Sequence, residues 1–126
     1  MKKRVKTLIV LVVFILVVSY VAYFAIERNL EGLEEVNISP VDLSLIKDGD
    51  YQGKYSAFPV SVMVEVSVVD HRITKIDIIK HNNGQGGDAE AIVDEVIRLQ
   101  SLDVDVISGA TYSSQVIKLA IADAFK

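Results

Sequence analysis

VSVMVEVSVVDHRITKIDIIK, residues 60–80, is the stretch on which the fold turns. Val60, Val62, Val64, Val66 and Val68 line one face, and Ser61, Met63, Glu65 and Ser67 line the other. A period of two, built from β-branched residues, predicts a strand with one buried face. Residues 73–80, ITKIDIIK, read as its partner. Asp70-His71-Arg72 is then the hairpin turn, although no glycine is present there to supply positive φ. Residues 51–55 suit a third, shorter strand.

Past the hairpin the period changes. HNNGQGG, 81–87, is followed by Asp88, a candidate cap for a helix over 89–101. Ala89, Ile92, Val93, Val96 and Ile97 form its apolar face. A second helix is predicted over 112–125, with Val116, Ile117, Ala120, Ile121, Ala124 and Phe125 on one side. The expected fold class is α+β: a small antiparallel sheet packed with two amphipathic helices, over 48–126. Such a short domain has a marginal core, and a tightly bound ligand is one source of the missing stability.

The other half of the chain is of a different kind. Residues 7–26, TLIVLVVFILVVSYVAYFAI, hold no charge, Gly or Pro. As a helix they reach about 30 Å, the thickness of a hydrocarbon core. They carry no polar stripe, which excludes a fully soluble cytoplasmic protein. The run is longer than the apolar part of a signal peptide, and Ala22 and Ala25 lack the A-x-A spacing, so a retained transmembrane helix is expected. Lys2, Lys3, Arg4 and Lys6 make 1–6 a basic cytoplasmic N-terminus and place the C-terminal part outside. Residues 27–47 read as a stalk or linker. Residues 27–36 extend the membrane helix, and Ser39-Pro40 starts a short helix over 40–46. Asp48-Gly49-Asp50 then marks a turn. Residues 27–126 hold nine basic and seventeen acidic groups, a net charge of −8. That balance argues against nucleic acid as a partner. With no cysteine there is no disulfide and no thiolate metal site, and two histidines alone make a poor one.

Two segments can carry chemistry. HNNGQGG lacks the spacing of a phosphate-binding loop. It reads either as a flexible connection or as backbone whose Gly84 and Gly86 let a flat ligand approach, with His81 at the strand end. The stretch Asp105-Val106-Ile107-Ser108-Gly109-Ala110-Thr111 is more informative. As a plain loop it would offer Thr111 or a neighbouring serine as a helix cap. The small residues Ser108, Gly109 and Ala110 also strip bulk from around Thr111. That leaves its hydroxyl approachable, where the free N–H groups of a helix start favour an anion.

DVISGAT resembles the flavinylation motif of the FMN-binding domain family: Asp, two variable residues, Ser or Thr, Gly, Ala, Thr. DGDYQGKY (48–55), the strand pair, HNNGQG (81–86), AEAI, Gln100-Ser101 before DVD, and SGATYSS occur in the family's order, so the resemblance covers about 48–126. Asn82-Asn83 stand where larger relatives carry an acid and Thr, and His71 stands where Gly is common. The family includes the covalent-FMN subunits of the sodium-pumping NADH:quinone reductase and of Rnf complexes, and many small membrane-anchored proteins. The resemblance implies that a flavin transferase, using FAD and Mg²⁺, attaches FMN through a phosphoester to Thr111. Asp105, Ser108, Gly109 and Ala110 would then be recognition residues, and Ser113 and Ser114 complete the motif. Tyr112, Tyr51, Tyr55 and Phe58 are candidates to stack on the flavin ring. Core packing is the competing role for each, and the preferred one for Phe58.

The expectation is therefore a single-pass cell-membrane protein whose extracytoplasmic domain carries electrons through FMN, with a membrane redox partner. It is read as a carrier rather than a stand-alone enzyme, since no nucleophile–base pair stands out. The rivals are a flavin- or ligand-binding regulatory module and an accessory subunit that only assembles a complex.

Overall fold

A computed structural model describes residues 2–34, 37–82 and 87–126. Among these, helix α1 (Lys2–Glu34) contains the whole apolar run and continues beyond it into the polar segment. Length and composition suit part of it, Lys2–Arg28, to a membrane. Phe24 lies beneath the guanidinium of Arg28 at the polar end of the run, 6.0 Å from centroid to Cζ.

Strands β1 (Gly49–Ala57), β2 (Val60–Val69) and β3 (Arg72–Asn82) form an antiparallel meander in the order β1-β2-β3. The alternation in β2 is kept along its length: Val60, Val62, Val64, Val66 and Val68 are buried, and the residues between them are half-buried. Each such valine contributes roughly 1.5–3 kcal/mol when fully buried. β3 keeps its isoleucines on the core face by bulging twice. The register passes from Ser67↔Lys75 to Val68↔Ile73, and from Met63↔Lys80 to Val64↔Ile78. Thr74 and Ile79 are thus extra residues, and each reverses the facing of the strand beyond it. Hence Ile73 and Ile76, three apart, are both buried, while Ile79 is exposed.

The turn between β2 and β3 has two residues, with Val69 paired to Arg72. Asp70 and His71 take φ of 51° and 61° themselves. Positive φ at both central residues is what a type I′ hairpin needs, and Asp and His are among the side chains that tolerate it. Two outside contacts hold the turn. Asp70 donates its N–H to Asp48 Oδ1 (2.9 Å). His71 Nδ1 lies 2.9 Å from the Ile46 carbonyl and 3.2 Å from that of Leu43. Both partners are acceptors, so Nδ1 carries the proton.

Those carbonyls belong to the segment before β1, where Ile38, Val41, Leu43 and Ile46 pack against the core. The expected helix over 40–46 is a single 3₁₀ turn, Leu43–Leu45. Its cap is Asp42, not Ser39: Asp42 Oδ1 accepts from the Ser44 N–H, and the bonds to Ser44 lower the Asp42 pKa.

The first domain helix also differs at both ends. A 3₁₀ turn, Gly87–Ala91, precedes α2 (Ile92–Leu99), whose N-cap is Ala91, so Asp88 does not cap it. Gln100 ends α2 in the left-handed conformation. Its side-chain amide accepts from Ile73 N–H (2.7 Å) and donates to Ile73 O (2.8 Å), acting as a one-residue strand on the edge of β3. Helix α3 (Thr111–Ala124) covers β1 and β2. Ala89, Ile92 and Val96 from the first helical segment join Val116, Ile117, Ala120 and Ile121 and the β2 valines in one core, as the α+β reading expected. α3 lies unusually close to β1: a Cβ built on Gly53 would meet Ala120 O at 2.0 Å and Ala124 N at 2.5 Å.

Candidate functional site

The contacts between α3 and β1 fix their relative direction. Lys54 N–H bonds to Asp123 Oδ2 (3.0 Å), and the Tyr51 and Phe125 rings lie 5.6 Å apart. As α3 descends toward Thr111, β1 therefore ascends toward Ala57. Thr111 lies about 16 Å from Ala122 along the helix. Ala57 lies about 13 Å from Gly53 along the strand. The start of α3 and the β1–β2 turn are thus at the same end of the domain. β3 also finishes there, since Val62 pairs with His81 and Ser61 with Asn82.

At that end Ile107, Ser108, Gly109 and Ala110 form a turn closed by Ala110 N–H to Ile107 O (2.9 Å). Gly109, the third residue, has φ of 80°, the value a type II turn requires there. Among the described residues nothing lies within 4 Å of a Cβ placed on it, so its role is conformational. Ser108 and Gly109 are exposed and Ala110 is buried. Ala110 is the N-cap of α3 and Thr111 its first residue, so Thr111 does not serve as the cap. It is half-buried, at the helix end where backbone N–H groups lack intrahelical acceptors.

Beneath the turn, Ser114 Oγ donates to Ala110 O (2.7 Å) and accepts from Ile107 N–H (3.0 Å). Ser113 and Ser114 are both buried, and the hydrogen bonds of Ser114 support the loop. Lys118, one turn further along α3, is 9% exposed and donates to Val104 O (2.9 Å). Burial pushes its pKa down, and the carboxylates of Asp103 and Asp105 oppose that shift. The first residue of the motif, Asp105, is exposed and faces this ammonium across the loop.

His81 arrives through the second bulge of β3. Without the extra residue Ile79, the inward position opposite Val62 would fall to Lys80. The His81 side chain is 2% exposed, and its Nδ1 lies 3.0 Å from Glu90 Oε1 on the 3₁₀ turn before α2. This contact clasps the two flanks of the glycine loop. Gly84 and Gly86 themselves lie outside the described residues. Tyr112 is half-buried at the start of α3. Tyr51 donates its hydroxyl to Lys47 O (2.6 Å) and packs on Phe125 at the opposite end, and Tyr55 packs against the core. Phe58, expected in the core, is instead 71% exposed, because strand pairing ends at Ala57 and Val60 and leaves it in the two-residue turn between them.

A cavity of about 420 Å³ lies elsewhere, between the segment before β1 and the domain, bordered by Asn37, Val41, Ile73, Asp103 and Lys118. Thr111 does not border it. A group esterified at a helix end is held by its tether and needs no enclosing cavity.

The domain is α+β, with a half-buried threonine as the first residue of α3 directly after a turn that carries a positive-φ glycine. The sequence profile of the FMN-binding domain family matches residues 55–126, and the chain belongs to that family. No curated relative and no solved structure matches the chain. FMN is accordingly its cofactor. The residues present fit the group: the N-terminus of α3 could receive a phosphate, and among the described residues nothing crowds a Cβ on Gly109 beside it.

Gly53, Glu90 and Gln100 fall within the stretches that carry the resemblance but were given no role of their own, and Lys118 was not singled out. Gly53 alone carried a local signal, as a glycine within a strand pattern, which often marks a close backbone approach.

Proposed function

We propose that this protein is anchored by α1, holds its domain on the extracytoplasmic side, and relays electrons through FMN esterified by its phosphate to Thr111. The observation that carries the reading is the position of Thr111: first residue of α3, directly after a turn that only glycine closes cheaply, within an SGAT motif. When bound, FMN supplies one- and two-electron chemistry; the protein supplies position and electrostatics. With FAD as donor, Thr111 Oγ gives up its proton and bonds to the phosphorus of the FMN half, while the pyrophosphate bond breaks and AMP leaves. The N-terminus of α3 favours the remaining negative charge by about 0.3–1 kcal/mol. A free phosphate monoester would carry about −1.5 to −2 at neutral pH, unfavourable beside residues 27–126, whose net charge is −8. Ser114 and Lys118 hold the loop so that the acceptor does not swing. Asp105, Ser108, Gly109 and Ala110 present the edge that a flavin transferase reads.

The test is co-production of the full chain with an active flavin transferase, then denaturing electrophoresis under ultraviolet light. The parent should fluoresce and Thr111→Val should not, while Ser108→Ala keeps the acceptor and retains at least part of the signal. A dark parent band, with the transferase active on another target, overturns the covalent reading. Reduction of the attached flavin by respiratory membranes separates a relay from a regulatory module, in which the flavin would stay oxidised.

A further inference from the structure

We infer that Phe58 is the aromatic platform on which the flavin ring rests. This deepens the proposed function and rests on it for the tether at Thr111. Outside α1, the described residues hold five strongly exposed large apolar side chains: Leu45, Phe58, Val69, Ile79 and Leu99. Phe58 is the only aromatic among them. Leu45 and Val69 lie by the β2–β3 turn, at the opposite end from Thr111. Phe58 lies at the end where α3 begins, as the antiparallel course of α3 over β1 requires.

The turn that carries it is stiff. Ala57 and Val60 pair directly, so only Phe58 and Pro59 connect the strands. The Pro59 ring fixes its own φ and restricts the backbone of Phe58. A large apolar ring is thereby held out toward water on a short rigid connection, an arrangement that burial alone does not favour. The isoalloxazine is a flat ring system with an apolar body, which gains by offset stacking on another ring. Its tether starts at Thr111, beside Gly109, where among the described residues nothing lies within 4 Å of an added Cβ. Tyr51 and Tyr55 are committed elsewhere, to Lys47 and Phe125 and to the core. Phe58 thus differs from them in both place and exposure.

The test uses the full flavin-loaded chain in detergent micelles, as parent, Phe58→Ala, Phe58→Leu and Phe58→Tyr. In-gel fluorescence reads attachment, and far-ultraviolet circular dichroism reads folding. Both should be unchanged, since Phe58 fills no core position. Fluorescence anisotropy and collisional quenching by iodide read the ring itself. In Phe58→Ala the stacked fraction should fall by about two- to tenfold, the range an aromatic pair supports, with lower anisotropy and faster quenching. Phe58→Leu should behave like Phe58→Ala, and Phe58→Tyr like the parent. Covalent flavin with the same anisotropy and quenching in all four chains overturns the inference and leaves Phe58 as a partner or membrane contact. If the parent carries no covalent flavin, the covalent reading fails separately. The same chains are then titrated with free FMN, and equal affinities overturn the inference.

Discussion

Gly109 and Lys118 show how single residues serve a site they need not touch. At Gly109 an added Cβ meets nothing within 4 Å among the described residues, so the cost of alanine there is backbone strain. Gly109→Ala should therefore destabilise by about 1–2 kcal/mol, the penalty of a left-handed non-glycine residue. It should also slow flavin attachment by tilting the turn before Thr111, as a timed in-gel fluorescence assay would show. Lys118 makes a pH prediction. Its folded pKa is lowered, mainly by burial, so between that value and the ordinary lysine value the unfolded chain binds more protons. Stability must then rise with pH across that window. The neutral amine can still donate to Val104 O, so the loop is not released. Denaturant titrations from pH 7 to 10.5 should show this rise in the parent and its loss in Lys118→Met.

Elements meet closely at two places, each with its own prediction. β1 and α3 touch backbone to backbone over Gly53, so an added methyl must displace the helix rather than a side chain. Overpacking typically costs about 1–3 kcal/mol, and Gly53→Ala should lie at or above the top of that range. Thermal unfolding measures it directly. At the β2–β3 turn, His71 performs two tasks: it accepts positive φ, and it clasps the segment before β1 through Ile46 O and Leu43 O. His71→Gly separates them, because glycine keeps the turn and loses the clasp. Protease sensitivity across 37–47 should rise while the hairpin stays folded, with a loss of about 1 kcal/mol for the missing hydrogen bonds.

For the molecule as a whole, the distribution of charge governs orientation. Lys2, Lys3, Arg4 and Lys6 precede the apolar run, and every acidic residue lies beyond it. Short basic flanks stay cytoplasmic. A periplasm-dependent reporter fused after Lys126 should be active. Replacing all four basic residues with Gln should produce a mixed population by the same reporter. Ile38, Val41, Leu43 and Ile46 pack against the core, so the chain already belongs to the body of the domain before β1 begins.

The valine alternation of β2, the apolar run of α1 and the helical period of α3 were legible because each is a repeat in the local chain, and burial rewards a repeat wherever it packs. Thr111 was legible because small residues crowd its N-terminal side in a recognisable order. The sequence by itself therefore determined the fold class and the candidate membrane span, and it is the source of the proposal that Thr111 is the acceptor. Other features depend on partners far along the chain, and only the tertiary structure decided them. Asp88 and Ser39 were good caps by composition, but Ala91 and Asp42 occupy those positions because packing set where the helical turns begin. The inward turn of His81 results from a bulge at Ile79, which a run of isoleucines does not announce. Gly53 matters because α3, some seventy residues later, lies on it. Phe58 reads as core by hydrophobicity and is exposed because β1 and β2 end their pairing at Ala57 and Val60. Local periodicity is written in neighbouring side chains, whereas register, close approach and exposure are set by which distant backbone comes to rest against them.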